Sequence, residues 1–328
     1  MKRLMIRLCG TLFLLALVVS CNKTDVKLIG IAKFVAHPAL DAVEKGIIDE
    51  IAKSKPEYKL DLQNSNADMT TAAQIAQRFK QEKVSVAVGI ATPTAQALVN
   101  QIKNIPVVFS AVTDPVSAGL VPSLEKGGSN VTGTSDMTPV RLQLDLLRAL
   151  HGNLKQLGHI YASGEANSVA IAQIVHSYCE EHSIQYVEAT VSNSSEVKQA
   201  FLTIAPRIDG LYLGNDNTVF SALNAVAETA LEKNLPVVTA DPSSAESIPV
   251  LAAIGYDYYK VGTATGKIVA RILNGEKTAD IPVYMPTESS DLLMVLNLDT
   301  AKKLKLTVPT EIVEKAAVII QDGTLVRK

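Results

Sequence analysis

Three short segments place polar side chains where an apolar, β-branched run gives way to a helical pattern: V-A-H-P (35–38), A-T-P-T (91–94) and N-D-N-T (215–218). At the second, Thr92 is a helix-capping residue and Pro93 takes the first helical position, where a missing N–H costs nothing. Free backbone N–H groups at Thr94 and Ala95 would then point outward along the positive end of the helix dipole, ready for a carboxylate or another anion. His37 and Pro38 repeat the arrangement. At the third, Asp216 and Asn217 set a fixed negative charge on an equivalent turn, suited to an ammonium group. Asp114 and Asp241, each followed by proline, shape two further turns. Taken singly, each turn also reads as an ordinary helix cap, and His37 as a cap or a packed surface histidine. Taken together, anion-friendly helix tips opposite an acidic turn would hold a zwitterion.

The elements that must position these turns alternate along the chain. Strands are expected at 26–34, 58–62, 84–89 and 105–110, with helices at 38–53, 69–82 and 93–102 between them. The order then returns, with strands at 157–162, 184–191, 208–213 and 235–239 and helices at 166–182, 195–205 and 217–233. Such alternation implies right-handed crossovers and parallel sheets covered on both faces. I-P-V-V-F (105–109) is echoed by L-P-V-V-T (235–239), and Asp114-Pro115 by Asp241-Pro242. The offset, about 124–130 residues, is too long for a solenoid repeat and points to two similar lobes. G-G-S-N-V-T-G (127–133) reads as an exposed loop before the first passage between them. A helix at 257–273 and a last strand at 292–296 complete the pattern. Passages near residues 135, 255 and 286 would divide the chain into one lobe of 26–135 plus 256–285 and another of 136–255 plus 286–328. Ligands of open parallel sheets bind beyond the carboxyl ends of the strands, where all three turns fall.

The N-terminus is an address. Lys2, Arg3 and Arg7 precede an apolar run at 8–19, too short for a comfortable membrane span, which ends in L-V-V-S-C. Residues 1–20 are therefore expected to be a signal peptide and 21–25 a polar tether. Small Ser20 before Cys21 resembles the bacterial lipobox, in which the cysteine sulfur takes a diacylglycerol. The protein would then be exported and held at a membrane surface. Of the cysteines, Cys9 leaves with the leader and Cys21 is lipidated, so Cys179 is left without a disulfide partner and reads as a buried small apolar residue. The chain is 47% hydrophobic, ample for packed cores, and carries a net charge of -2. No basic nucleic-acid surface is expected.

Several segments together resemble one family of ABC transporter substrate-binding proteins, often described as tryptophan or aromatic amino-acid binding lipoproteins. They are F-V-A-H-P-A-L-D (34–41), I-A-T-P-T-A-Q-A (90–97), A-V-T-D-P-V-S-A-G-L-V (111–121) and N-V-T-G-T-S-D-M-T-P (130–139). E-A-N-S (165–168), D-N-T-V (216–219) and I-G-Y-D-Y-Y-K-V-G (254–262) belong to the same pattern. The resemblance implies an α/β, type I periplasmic-binding-protein fold: two flavodoxin-like lobes on a three-strand hinge. It also implies a cognate permease and ATPase, and an aromatic amino acid as ligand in several members. On matching positions, Thr92 and Thr94 would take the carboxylate, and Asp216, with Asp114 or Glu165 nearby, the amino group. Asn167, Ser168 and Asn217 would supply polar contacts, while Phe34, His37, Pro38 and Tyr256 would line the side-chain pocket. Ala36 departs from the pattern, since relatives often carry an acid just before the His-Pro pair.

Enzyme motifs are missing from the sequence: there is no G-x-G-x-x-G, P-loop, G-x-S-x-G or H-E-x-x-H, and the histidines do not form a metal-ligand spacing. The expectation is a monomeric binding protein with no cofactor, no metal and no catalytic role. A sensory module that reports occupancy to a membrane receptor could use the same clamp.

Overall fold

The computed structural model describes residues 27–286 and 292–328. The expected leader, tether and Cys21 lie outside the described residues. The chain opens with β1 (Leu28–Lys33), α1 (Pro38–Ser54), β2 (Lys59–Asn64), α2 (Met69–Glu82), β3 (Val86–Ile90), α3 (Thr92–Gln101), β4 (Val107–Val112) and β5 (Val131–Ser135). These strands form one parallel sheet in the order β2-β1-β3-β4-β5. Strands β3, β4 and β5 are buried along their whole length, which explains their unbroken apolar runs. On one face Ile29, Ile31 and Val88 pack with Val43 and Ile47 of α1; on the other Phe109 and Ala87 meet Phe79 of α2 and Leu98 of α3.

The second lobe begins with α4 (Val140–His151), β6 (Gln156–Ala162), α5 (Ala166–Glu181), β7 (Gln185–Val191), α6 (Ser194–Ile204) and β8 (Gly210–Leu213). It continues with α7 (Asn217–Phe220), α8 (Leu223–Glu232), β9 (Val237–Thr239), α9 (Pro242–Ala245) and β10 (Ala252–Tyr256). Helix α10 (Tyr258–Leu273) then returns to the first lobe and lies along α1. The approach is so close that a Cβ on Gly46 would sit 2.2 Å from the Tyr259 carbonyl oxygen, and one on Gly262 2.1 Å from that of Val43. The end of the chain, β11 (Leu292–Asn297), α11 (Leu298–Lys303), α12 (Thr310–Lys315), β12 (Val318–Gln321) and β13 (Thr324–Arg327), extends the second sheet. That sheet runs β13-β12-β11-β10-β9-β8-β6-β7, with β11 antiparallel to β10. The backbone thus leaves the first sheet after Ser135, returns after Tyr256, touches β5 through a bridge between Thr134 and Tyr284, and resumes in the second sheet at Leu292.

Two expectations need correction. The 127–133 segment is not an exposed loop throughout: Gly127 is buried and Val131 onward is the buried edge strand β5. Gly133 permits this, because a Cβ there would lie 2.0 Å from the Phe109 carbonyl oxygen on β4. The single helix expected at 217–233 is broken into α7 and α8. There the Ser221 hydroxyl donates to the Thr218 carbonyl oxygen at 2.7 Å, competing with the backbone as serine does. Cys179 is buried as expected, and burial pushes its thiol up to about 12.

Candidate functional site

The carboxyl ends of strands from both sheets meet around a narrow cavity with room for about 10 Å³ of water-sized volume. This is far under the roughly 300–1,000 Å³ common for small-molecule pockets, so the two walls stand nearly in contact. The first lobe contributes His37, Thr92, Ala111 and Thr113, and the second Asn167, Asn215, Asp216, Asn217 and Phe220. Asp136 and Tyr258, on the passages between lobes, close the wall. Among the described residues, neither lysine nor arginine lines it.

The second-lobe wall is held by its own hydrogen bonds. Asp216 caps α7, accepting from the Val219 N–H at 2.8 Å through one oxygen and from the Ala162 N–H at 2.6 Å through the other. Behind it Glu165 accepts from the Thr218 N–H at 2.9 Å, the Thr218 hydroxyl at 2.7 Å and the Asn217 amide. The Asn167 amide donates to the Asn215 carbonyl oxygen at 2.9 Å. Burial, reinforced by the charge of Glu165, pushes the Asp216 carboxyl up to about 7.

Asp136 ties the lobes together. One oxygen accepts from the Thr113 hydroxyl at 3.1 Å; the other accepts from the Asn215 amide at 2.9 Å and the Tyr258 hydroxyl at 3.3 Å. Burial raises this carboxyl as well. The Thr138 hydroxyl completes the knot by donating to Asn215 Oδ1 at 2.9 Å.

The first-lobe wall is different. Thr92 is the first residue of α3 rather than its cap; the cap is Ala91, at φ 78° and ψ 156°. The Ala91 N–H donates to the Ser110 carbonyl oxygen at 2.9 Å, which pins this turn to β4. Ala111, at the end of β4, also has a positive φ of 52°. Such backbone costs about 1–3 kcal/mol per residue and concentrates at ligand sites. His37 caps α1 in extended conformation without a side-chain cap bond. Its buried ring stands edge-on to Phe220 of the other lobe, centroids 5.8 Å apart. Burial lowers its pKa and keeps it neutral, although Asp241 and Asn217 nearby favour the charged form. Neither His37 ring nitrogen has a hydrogen-bond partner, and the same holds for the Thr94 hydroxyl and Asn167 Oδ1. Buried polar groups are almost always paired, so these atoms keep hydrogen-bonding capacity to spare.

Of the residues expected from sequence, His37, Thr92, Asn167, Asp216 and Asn217 form the cavity wall. Thr94, Glu165, Ser168 and Asp241 are buried outside that wall, and Asp241 caps α9 through the Ser244 N–H at 3.1 Å. The rest stand away from it. Phe34 packs in the first-lobe core, Pro38 is exposed at the start of α1, and Tyr256 donates its hydroxyl to the Met137 carbonyl oxygen at 3.2 Å. Asp114 caps the turn after β4 and borders a separate groove on the flank of the cleft. Thr113, Asp136, Asn215, Phe220 and Tyr258 were missed. Thr113, Asp136, Asn215 and Tyr258 follow the carboxyl ends of strands by one or two residues, the one available signal, whereas Phe220 lies at the end of α7, seven residues past β8.

A model of the family "ABC transporter substrate binding protein" matches residues 28–320. The chain belongs to this family. It is 39% identical over 292 residues to the tyrosine-binding protein of Clostridioides difficile (strain R20291), covering 87% of this chain and 84% of the relative. Among solved structures, a Streptococcus pneumoniae domain in complex with L-Trp is 32% identical with a TM-score of 0.85, covering 89% of this chain and 99% of that one. The ligand-free, open structure of a substrate-binding protein with adhesive properties from Clostridium difficile is 37% identical, yet its TM-score is 0.64, over 87% of this chain and 97% of that one. The fold of this family member is therefore the two-lobed periplasmic-binding-protein fold. A lower score at higher identity is what a rigid-body shift of one lobe produces. The contact between His37 and Phe220 across the cleft agrees with lobes set as in the Trp-bound relative.

Proposed function

We propose that this chain is the lipid-anchored, extracytoplasmic receptor of an ABC importer, and that it binds an amino acid, an aromatic one such as tyrosine or tryptophan, without chemical change. The observation that carries this reading is the acidity of the cavity: Asp136 and Asp216 line it and, among the described residues, no lysine or arginine answers them. An ammonium group would neutralise that wall, while the carboxylate would meet the start of α3 at Thr92 and Thr94; the Ala95 N–H, expected to be free, instead donates to the Ala91 carbonyl oxygen at 3.1 Å. The edges of His37 and Phe220 suit an aromatic side chain. The ligands named for the Clostridioides and Streptococcus relatives support the same class. Closure would hinge on the passages near residues 135, 255 and 286, and a monomer would present the closed lobes to the permease and its ATPase. Calorimetry on the chain from Asn22 onward, against the standard amino acids, should find micromolar or tighter binding to an aromatic member. Binding to none of them would sink the amino-acid reading.

A further inference from the structure

The first-lobe sheet has two edges of opposite character. Its carboxyl edge faces the buried acids of the cleft. Its strands are parallel, so the loops that enter them share the other edge, and that edge is rich in lysine. Lys53 ends α1, Lys59 opens β2, Lys83 follows α2, Lys103 follows α3, and Lys126 and Lys277 stand on neighbouring loops; all six are exposed. The loops are tied into one face. The Lys59 N–H donates to the Lys27 carbonyl oxygen at 2.9 Å, Lys55 reaches Asn274, and the Thr278 hydroxyl donates to the Ser129 carbonyl oxygen at 3.1 Å. Among the described residues none of the six lysines has a carboxylate partner. Much of the acid on this side is already taken: Arg78 holds Asp61 and Glu82, and Arg271 holds Glu276. Glu50, Glu57, Glu125 and Asp280 are acids on this side without an ion pair among the described residues. This cationic face sits on a chain whose net charge is -2.

We infer that the lysine-rich base of the first lobe is the face that lies against an anionic lipid surface. The described chain begins at this base, with Lys27 beside Lys59 and its ammonium 5.3 Å from the Tyr58 ring centroid. Whatever precedes residue 27 leaves from the same face. Cys21 lies only a few residues upstream, within about 20 Å even of fully extended chain. Lipidation there would hold the base near the range, about 8 Å at physiological salt, over which surface charge acts. The charge argument stands without the anchor and without the ligand assignment.

The experiment is vesicle co-sedimentation of the unlipidated chain from Asn22 onward. Phosphatidylcholine vesicles are compared with phosphatidylcholine vesicles containing phosphatidylglycerol. Binding should require phosphatidylglycerol, weaken as salt rises, and fall about fivefold for each base lysine neutralised. The combined variant Lys53→Gln, Lys59→Gln, Lys83→Gln and Lys126→Gln should lose it, while Lys302→Gln, Lys303→Gln and Lys305→Gln in the second lobe should keep it. Melting temperature and ligand affinity, read on both variants, show that each is folded. Equal binding to neutral vesicles, retention by the base variant, or equal loss in the second-lobe variant would each overturn the inference.

Discussion

On the second-lobe side nearly every polar atom has a protein partner, with Asp216 and Glu165 collecting N–H groups and a hydroxyl around α7, whereas in the first lobe the His37 ring on the wall and the Thr94 hydroxyl buried behind it have none. One side is satisfied within the protein; the other keeps bonding capacity that the proposed ligand would use. The division makes physical sense. Charges must be fixed in place to select a ligand, and fixing them uses the hydrogen bonds of a rigid scaffold. Orphaned groups cost stability while unpaired and return it only on binding, so they belong on the wall that closes over the ligand.

Asp216 is where the comparison breaks most visibly if it is wrong. Asp216→Ala removes an acid from the cavity and strands the Ala162 and Val219 N–H groups. Affinity for an ammonium ligand should fall by about 2 kcal/mol or more. Stability should fall too, by about 1–3 kcal/mol for each buried N–H left unsatisfied. Calorimetry and thermal melts separate the two losses. A lower melting temperature with unchanged affinity would make the second-lobe wall a scaffold and not a contact.

Acidity gives the next largest effect. The folded Asp216 carboxyl, at about 7, lies above its ordinary 3.8, so folding takes up a proton between those values. Its contribution to stability is complete below the lower value and is lost as pH rises through the upper one. Relative to Asp216→Asn, the wild type should therefore gain about 1.4 kcal/mol per pH unit on acidification below 7. Affinity for an ammonium ligand should run the other way, up to tenfold weaker per unit below 7. A binding constant flat between roughly pH 5 and 8 would show that Asp216 does not titrate against the ligand.

The sequence discloses the pre-built wall better than the other. N-D-N-T (215–218) announces both a cap and a charge, and Asp216 is found doing the first and placed for the second. Thr92 was harder, because the cap it seemed to provide belongs to Ala91, whose positive φ no sequence pattern demands of an alanine. The alternation of strands and helices fixed which residues stand at carboxyl edges, but not how far each side chain reaches inward. Hence Phe34, Pro38 and Tyr256 were expected in the pocket and lie off it, while Asp136 and Tyr258 line it. Those two converge only because the passages between lobes cross, a juxtaposition of positions 122 residues apart. The small C-terminal strand β13 is illegible for another reason: it is exposed along its length and carries no buried-strand pattern.

The smallest effect is the sharpest test of the contrast, because it makes the same chemical change behind each wall. Thr218→Val deletes a hydroxyl that donates to Glu165 at 2.7 Å, and Thr94→Val deletes one with no partner. The first should lower the stability of the ligand-free protein by about 1 kcal/mol. The second should leave that stability unchanged or raise it, since a buried hydroxyl without a bond is replaced by a methyl of similar size. With ligand present, Thr94→Val should cost affinity, by about 1 kcal/mol if the hydroxyl meets a carboxylate oxygen. Melts of the ligand-free proteins, paired with calorimetry, read all of these signs. Should Thr94→Val destabilise the ligand-free fold as much as Thr218→Val does, both walls are equally satisfied by the protein itself, and the ligand completes neither.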